Sequence, residues 1–383
     1  MRYLTAGESH GPGLVTIVEG LPSGMKVTAE GIGNELARRR LGYGRGRRMA
    51  LERDELEIMG GVRFTLTLGS PVAVIVRNTE WEQKWSEEMS AGPGQSRRPL
   101  TTPRPGHADL AGMVKYDTKD ARDILERASA RETAARTVVG YLAKQMLFGV
   151  GIEVVSHVVG IGEEMSTIDV LPTPSDLDTI DESPVRAFDS EAETRMISAI
   201  ESAKADRDTL GGVVEVLVYG LPMGVGSHVH WDRKLDAKLA EALMSIQAIK
   251  GVEIGDGFTS ATRRGSAAHD EIYYSEGEFT RTSNRAGGTE GGMSVGGVLR
   301  VRAAMKPIST VMRPLDTVDV ATKEADKAFR ERSDVCAVPA AGIVAETVVA
   351  IAVAKEMQRK FGGDTMGDFI AAVDAYRKRV AAF

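Results

Sequence analysis

Hydrophobic spacing divides the chain into long helical stretches and short alternating ones. Residues 119–148 carry Ile124, Leu125, Ala128, Ala135, Val138, Val139 and Leu142 at helical intervals, with no Gly or Pro before Gly140, and predict one long helix. Residues 233–250 repeat Leu235, Leu239, Leu243 and Ile246, with Asp232 as the expected N-cap and Gly251 as the stop. Residues 339–361 begin at Pro339, run through Ala and Val, and stop at Gly362-Gly363 as the last helix. Short strand-like runs cover 14–18, 64–68, 72–76, 152–159, 213–219 and 298–304. Helices set among hairpin-like strands predict an α+β fold.

One pattern occurs twice. Gly20-Leu21-Pro22-Ser23-Gly24 follows the strand-like Leu14–Val18, and Gly220-Leu221-Pro222-Met223-Gly224 follows Val213–Val218. Each precedes a helix candidate, near 29–41 and 232–250. The echo divides the chain into halves of about 1–200 and 201–383, either a duplication within one domain or two unrelated turns.

Composition narrows the class. The chain has 383 residues, 42% hydrophobic and 27% charged, as in globular proteins. No run approaches the roughly 18 apolar residues of a membrane span, and the N-terminus turns polar too early for a signal peptide. The single cysteine, Cys336, reads as a small core residue in a reducing cytoplasm. Few aromatics (5%) and a net charge of -6 argue against nucleic acid as the main partner, so any anion site is local.

Arginine is concentrated at such a place. Arg38, Arg39, Arg40, Arg45, Arg47, Arg48 and Arg53 lie among Gly33, Gly42, Gly44 and Gly46, with Glu52 as the only acid between Arg38 and Arg53. The cluster is either a solvated basic face or an anion clamp, since guanidinium forks match carboxylate and phosphate. A second acid-free stretch, 89–108, holds Arg97, Arg98, Arg104 and His107 among prolines and glycines and predicts an irregular loop. Residues 162–208 are acid-rich and predict a surface region.

Candidate chemistry lies in loops. His10 sits in the Gly-flanked turn Gly7–Gly13, either as a proton donor or as a turn cap. His107 either faces a bound anion or hydrogen-bonds Asp109. Arg127 and Arg131, four residues apart on the predicted helix, project from one face, with Ser129 offset between them. Lys306 through Thr310 end a strand with one ammonium and two hydroxyls, a combination suited to phosphate. The Gly-rich run Gly287–Ser294 lacks any dinucleotide spacing. Arg332-Ser333-Asp334 precedes the 339–361 helix, whose N-terminus favours an anion. His228 and His230 share one face of a predicted strand, but a metal needs a third ligand and only Asp232 is near, so none is expected.

Several of these segments together resemble the chorismate synthase family. Gly7-Glu8-Ser9-His10-Gly11, Glu126–Ala134, and Arg332-Ser333-Asp334-Val335-Cys336 through Glu346-Thr347 are similar to its three signatures. Arg104–Asp109, His230-Trp231-Asp232, Gly251–Gly255 and Met305–Thr310 fit as well, so the resemblance runs from residue 7 to about 347.

The resemblance implies a carbon–oxygen lyase of the shikimate pathway of aromatic amino acid biosynthesis. It would form chorismate from 5-enolpyruvylshikimate 3-phosphate by anti-1,4 elimination of phosphate and a ring proton. Reduced FMN would be required without net redox change. By resemblance, His10 protonates near the flavin, His107 assists phosphate departure, and Asp334 manages the proton at flavin N5. Arg39, Arg45, Arg48, Arg131 and Arg332 resemble the substrate clamp. Arg127, Ala128, Ser129, Gln247, Ala248, Gly291, Lys306, Pro307, Ile308, Ser309, Thr310 and Arg332 resemble the FMN shell. Arg39 and Arg45 also resemble the NADPH pair of members that reduce their own flavin; otherwise a separate flavin reductase supplies it. The family also implies a cytoplasmic homotetramer whose monomers sandwich helices between antiparallel sheets with internal pseudosymmetry, a single domain over 1–383.

Thr289, Ser294-Val295 and Ala128 depart from the family pattern in the flavin loop. Two alternatives stand beside this reading. An RNA or polyanion module built on the arginine loop would bind with steep salt dependence. A plain flavin reductase would oxidise NADPH without the enolpyruvyl substrate.

Overall fold

In the computed structural model the described residues are 1–44, 55–275, 277–331 and 334–383. Two antiparallel sheets carry most of the strands, which makes the fold α+β as the sequence predicts. The first contains β1 (Arg2–Ala6), β2 (Gly13–Glu19), β3 (Leu56–Gly60) and β4 (Val72–Arg77) in the order β1-β2-β4-β3. The second contains β5 (Glu153–Ile161), the short β6 (Glu164–Met165), β7 (Gly212–Tyr219), β8 (Ile249–Ile254) and β9 (Leu299–Met305) in the order β8-β9-β7-β5-β6.

Among the described residues the α-helices of more than four residues are α1 (Ala29–Arg40), α2 (Asp109–Tyr116), α3 (Arg122–Ala128), α4 (Thr133–Phe148), α5 (Leu177–Glu182), α6 (Ser190–Ala205), α7 (Leu235–Met244), α8 (Val338–Phe361) and α9 (Met366–Ala381). Helix α4 packs on the first sheet, chiefly on β2, while α8 packs on β5 and β7 of the second. The two helices also pack on each other, with α1 against α4 and α7 against α8. Val138, Val139, Leu142, Val349 and Val353 are fully buried where these layers meet.

One order of elements, β1, β2, α1, β3, β4 and α4, is followed by a second, β5, β7, α7, β8, β9 and α8, with further elements set between them, such as α2 and α3 before α4 and β6, α5 and α6 before β7. In each sheet the pairings of these strands are alike, and the register shifts once in β3 (Ile58/Gly60) and once in β8 (Ile249/Gly251). The Gly-Leu-Pro turns match in detail. Gly20 and Gly24 have φ of 82° and 80°, and Gly220 and Gly224 have 75° and 81°, values that only glycine adopts without strain. In both turns a hydroxyl donates to the proline carbonyl at 2.6 Å: Thr67 to Pro22 and Ser294 to Pro222.

Several sequence expectations are corrected. The 119–148 helix is broken at Ser129, whose backbone is extended (φ -61°, ψ 143°), leaving α3, a 3-10 turn and α4. The 233–250 helix ends at Met244 because Ala248 turns left-handed (φ 66°) into strand β8, and Lys234 rather than Asp232 holds the N-cap position. Strand 64–68 shrinks to a two-residue arm, since Phe64 and Thr65 both have positive φ. The acid-rich region is no plain surface: α6, capped by Asp189, buries Ala192, Met196 and Ile200. Helix α8 is also long and apolar enough to cross a membrane, contrary to the expectation that no run approaches that length, yet 94% of its apolar window is buried within the fold. Cys336 is buried, as expected.

Helix α9 follows α8 and was not predicted. Thr365 and Asp368 form its capping box, and Phe369 and Val373 bury its inner face. It is moored to both Gly-Leu-Pro turns. Ser23 donates its amide to Asp364 O at 2.8 Å, while Tyr376 Oη donates to Met223 O at 2.9 Å and Arg377 to Gly220 O at 3.0 Å.

A cluster of charges lies between α1, α4, α8 and β5. Glu346 is fully buried and accepts from Arg38 at 2.8 Å, from Ser156 at 2.7 Å and from Lys144. Glu35 pairs with Lys144, and Asp181 with Arg38 and Arg186, so three acids balance three bases. Burial alone would push the Glu346 carboxyl up; Arg38 and Lys144 outweigh it and hold it far below the ordinary range. Burial pushes the Arg186 guanidinium down to about 10.

Candidate active site

His10 lies in the loop joining β1 to β2. That loop needs Gly7 at φ 103°, since a Cβ there would fall 2.2 Å from Gly13 O. The loop docks on the end of α3. Ser9 N donates to Glu126 O at 3.0 Å, His10 N to Glu126 Oε2 at 2.8 Å, and His10 Nδ1 meets Glu126 Oε1 at 2.9 Å. Burial would push the Glu126 carboxyl up, but the hydrogen bond and charge of His10, with Arg122, bring it below its ordinary range. An ionised Glu126 only accepts, so His10 Nδ1 is the donor and proton exchange falls to Nε2.

Two further groups complete this corner. The Trp85 ring packs on the His10 imidazole with centroids 4.0 Å apart, and the Arg122 guanidinium lies 5.0 Å from the Trp85 ring. Arg122 in turn donates to Glu126 at 3.0 Å. Trp85 and Arg122 carry no sign in the sequence, and Glu126 stands out there only within a signature, because their roles depend on contacts across α3 and a distant loop.

The break at Ser129 changes what the nearby arginines do. Arg127 and Arg131 do not share a helix face. Arg127 donates to the carbonyls of Gly7 (3.0 Å) and Thr5 (2.8 Å), clamping β1 and its loop. Arg131 donates to Asn78 Oδ1 at 3.2 Å, and Asn78 donates to Gly11 O at 2.7 Å, so Arg131 reaches the histidine loop through one amide. Ser129 Oγ donates to Ser9 Oγ at 3.2 Å. Arg39 is buried, with Nη1 3.4 Å from Thr133 Oγ1 at the start of α4. Ala128 ends α3 beside them. The structure thus brings His10, Arg39, Arg127, Ser129 and Arg131 around one turn. Arg45, Arg48 and Arg332 lie outside the described residues.

A second corner forms around His107. Arg104 Nε donates to Asp109 Oδ2 at 2.8 Å and Nη1 to Thr310 Oγ1 at 2.9 Å. His107 Nδ1 pairs with Asp109, the hydrogen bond that the sequence offered as one of its two roles, and this leaves Nε2 for the other. Burial would push Asp109 up, but hydrogen bonds from His107 and Arg104 hold it down to about 2. Lys306 donates to Gly106 O, and Ser309 lies against Gly106. Thr209 Oγ1 donates to Ile308 O at 2.8 Å, fixing the Pro307–Ile308 stretch. Lys306 N donates to Ala248 O at 3.0 Å, which joins the 247–248 turn to the same strand end.

The two corners meet through one short segment. Phe329 packs under the Arg104 guanidinium at 4.6 Å, and Glu331 pairs with Arg122 at 3.5 Å. Asp334 is half-buried, and the next residue, Val335, donates to Gly44 O at 2.9 Å, so Asp334 stands beside the chain entering the arginine loop. Gly291 turns a separate hairpin, Thr289–Ser294, anchored by Gly292 O to Ser227 and Leu235. His228 and His230 lie in an exposed turn rather than a strand; His230 bonds Asp232 at 2.7 Å.

The family model described as chorismate synthase matches residues 1–358. A chorismate synthase of Acidothermus cellulolyticus is 59% identical over 385 aligned positions, covering 98% of each chain. One from Salinispora tropica is 60% identical over 375, covering 96% of this chain and 95% of the relative. A crystal structure of chorismate synthase superposes with a TM-score of 0.81 at 39% identity, covering 100% of this chain and 98% of that one.

Proposed function

The chain belongs to the chorismate synthase family and is a lyase, and from that premise we propose that it eliminates phosphate and a ring proton from 5-enolpyruvylshikimate 3-phosphate in the anti-1,4 sense. The C–O bond to phosphate breaks, a C–H bond gives up its proton, and a new ring double bond forms. The observation that supports the reading is the pairing of His10 Nδ1 with the buried Glu126, which leaves Nε2 as the nitrogen that takes up and gives a proton.

The residues present fit reduced FMN. Gln247 Oε1 is a buried acceptor with no hydrogen-bond partner, a Cβ on Gly291 would meet nothing, and Lys306 and the 309–310 hydroxyls supply cation and donors. Arg127, Ala128, Ser129, Gln247, Ala248, Gly291, Lys306–Thr310 and Arg332 would hold it. The chemistry that reduced FMN supplies when bound is transient electron density, with no net redox change.

This chain's own groups then divide the work. Arg39 and Arg131, with Arg45, Arg48 and Arg332, neutralise and orient the two carboxylates and the phosphate. His107, its Nδ1 held by Asp109, stabilises the departing phosphate through its other nitrogen. His10 supplies a proton through Nε2, and Asp334 holds the proton released in the elimination. The same reading extends to a cytoplasmic homotetramer. NADPH would lie at Arg39 and Arg45 if the chain reduces its own flavin, and otherwise a flavin reductase is the partner.

We also read residues 1–383 as one domain of two pseudo-repeat halves enclosing their helices. The repeated element order and the matched turns support this, and we take the seam between the halves as residues 149–152 rather than about residue 200.

The test is an anaerobic assay with the enolpyruvyl substrate and photoreduced FMN, following chorismate by absorbance. Chorismate is the expected product. Its absence with folded protein overturns the reading. Repeating the assay with oxidised FMN and NADPH separates a self-reducing enzyme from one that needs a reductase.

A further inference from the structure

Four side chains around His10 close a ring of contacts. Glu126 grips the His10 imidazole, Arg122 grips Glu126, Trp85 faces Arg122, and Trp85 packs on His10 at 4.0 Å with an interplanar angle of 33°. The chain supplies Trp85 from an unusual element. Residues Trp81–Trp85 form a π-helical turn, closed by Ser86 N donating to Trp81 O at 2.9 Å. Such widened turns are rare and concentrate at functional sites. Trp85 is half-buried, while most of the turn around it is exposed.

We propose that Trp85 is a positioning residue for His10, bracing one face of the imidazole while Glu126 fixes its edge. Glu126 alone leaves the ring able to swing about its hydrogen bond; a flat indole against its face removes that freedom. Arg122 stops the brace from moving, since it is tied both to Glu126 and to Glu331 (3.5 Å). Glu8, whose carboxylate lies beside Gly11, Arg127, which donates to Gly7 O, and Arg131, which reaches Gly11 O through Asn78, are further charged groups at this loop. The inference rests on the proton-donor role of His10 proposed above, but its first test does not.

That test is fluorescence. The sequence has three tryptophans, so a Trp81→Phe/Trp231→Phe background leaves Trp85 as the sole indole. An imidazolium in ring contact quenches indole emission, so emission should fall as pH drops through a histidine titration. The step should vanish in His10→Asn on the same background. A step that survives His10→Asn, or no step at all, overturns the contact whatever the reaction proves to be.

The second test is kinetic. Trp85→Leu should lower kcat about 10- to 100-fold, the scale of a misplaced catalytic group, with KM for the enolpyruvyl substrate within about twofold. Trp85→Phe, which restores a ring, should recover most of the loss. Wild-type kcat in Trp85→Leu, or equal losses in the two variants, overturns the positioning role. Should Trp85→Leu fail to fold by circular dichroism, the Trp85→Phe kinetics and the fluorescence titration still decide.

Discussion

Thr67 and Ser294 do the same work in the two Gly-Leu-Pro turns. Each hydroxyl donates to a proline carbonyl at 2.6 Å and accepts the amide three residues beyond that proline, Met25 N at 2.9 Å and Val225 N at 2.8 Å. Removing either hydroxyl strands a buried donor and acceptor. Thr67→Val and Ser294→Ala should each cost about 1–3 kcal/mol in urea denaturation; losses below a few tenths would show that water replaces the hydroxyl.

His10→Ala and Asp334→Ala should fold normally and lower turnover by about 10- to 10⁴-fold, the range for lost acid–base groups. Glu126→Gln should also lower turnover, because a neutral amide no longer fixes the His10 tautomer. Steady-state kinetics under reduced FMN check all three. A near-wild-type rate removes that residue from the proton path.

Glu346→Gln tests the buried charge cluster. It leaves Arg38, Lys144 and Arg186 with one acid too few, and breaking a buried pair costs about 3–5 kcal/mol. Denaturation should show a loss of that size. A neutral outcome would mean that solvent reaches the cluster.

How much of this was legible beforehand differs by element. Helix α8 announces its start with Pro339 and its end with Gly362-Gly363, and α1 follows its hydrophobic spacing. The break at Ser129 carries no such mark, because Ser129 satisfies its turn by accepting from Arg131 N and local propensity allows the helix to continue. Hence the shared face predicted for Arg127 and Arg131 does not exist. Ala248 is the same kind of case, since a left-handed alanine is paid for by tertiary contacts that spacing does not record. The two histidine loops stood out through their glycines. Their carboxylate partners did not: Glu126 lies 116 residues from His10.

The pH dependence of stability should expose Asp109. A carboxyl with a lowered folded pKa stabilises the fold above its unfolded value, and that contribution is lost as pH falls through the folded one. Asp109 therefore contributes fully above about 3.9 and loses its contribution towards about 2. Thermal midpoints between about pH 5 and about pH 2 should fall less steeply in Asp109→Asn than in wild type. Parallel curves would assign the acid sensitivity elsewhere.

The C-terminal helix α9 starts beyond residue 358, where the family match ends, yet it holds Ser23 through Asp364 and Met223 through Tyr376. It acts as a rivet driven through two corners that are 200 positions apart in sequence. Strain applied at the tail reaches both corners together, so loosening the tail slackens the alignment of one sheet against the other before it disturbs any group that touches substrate.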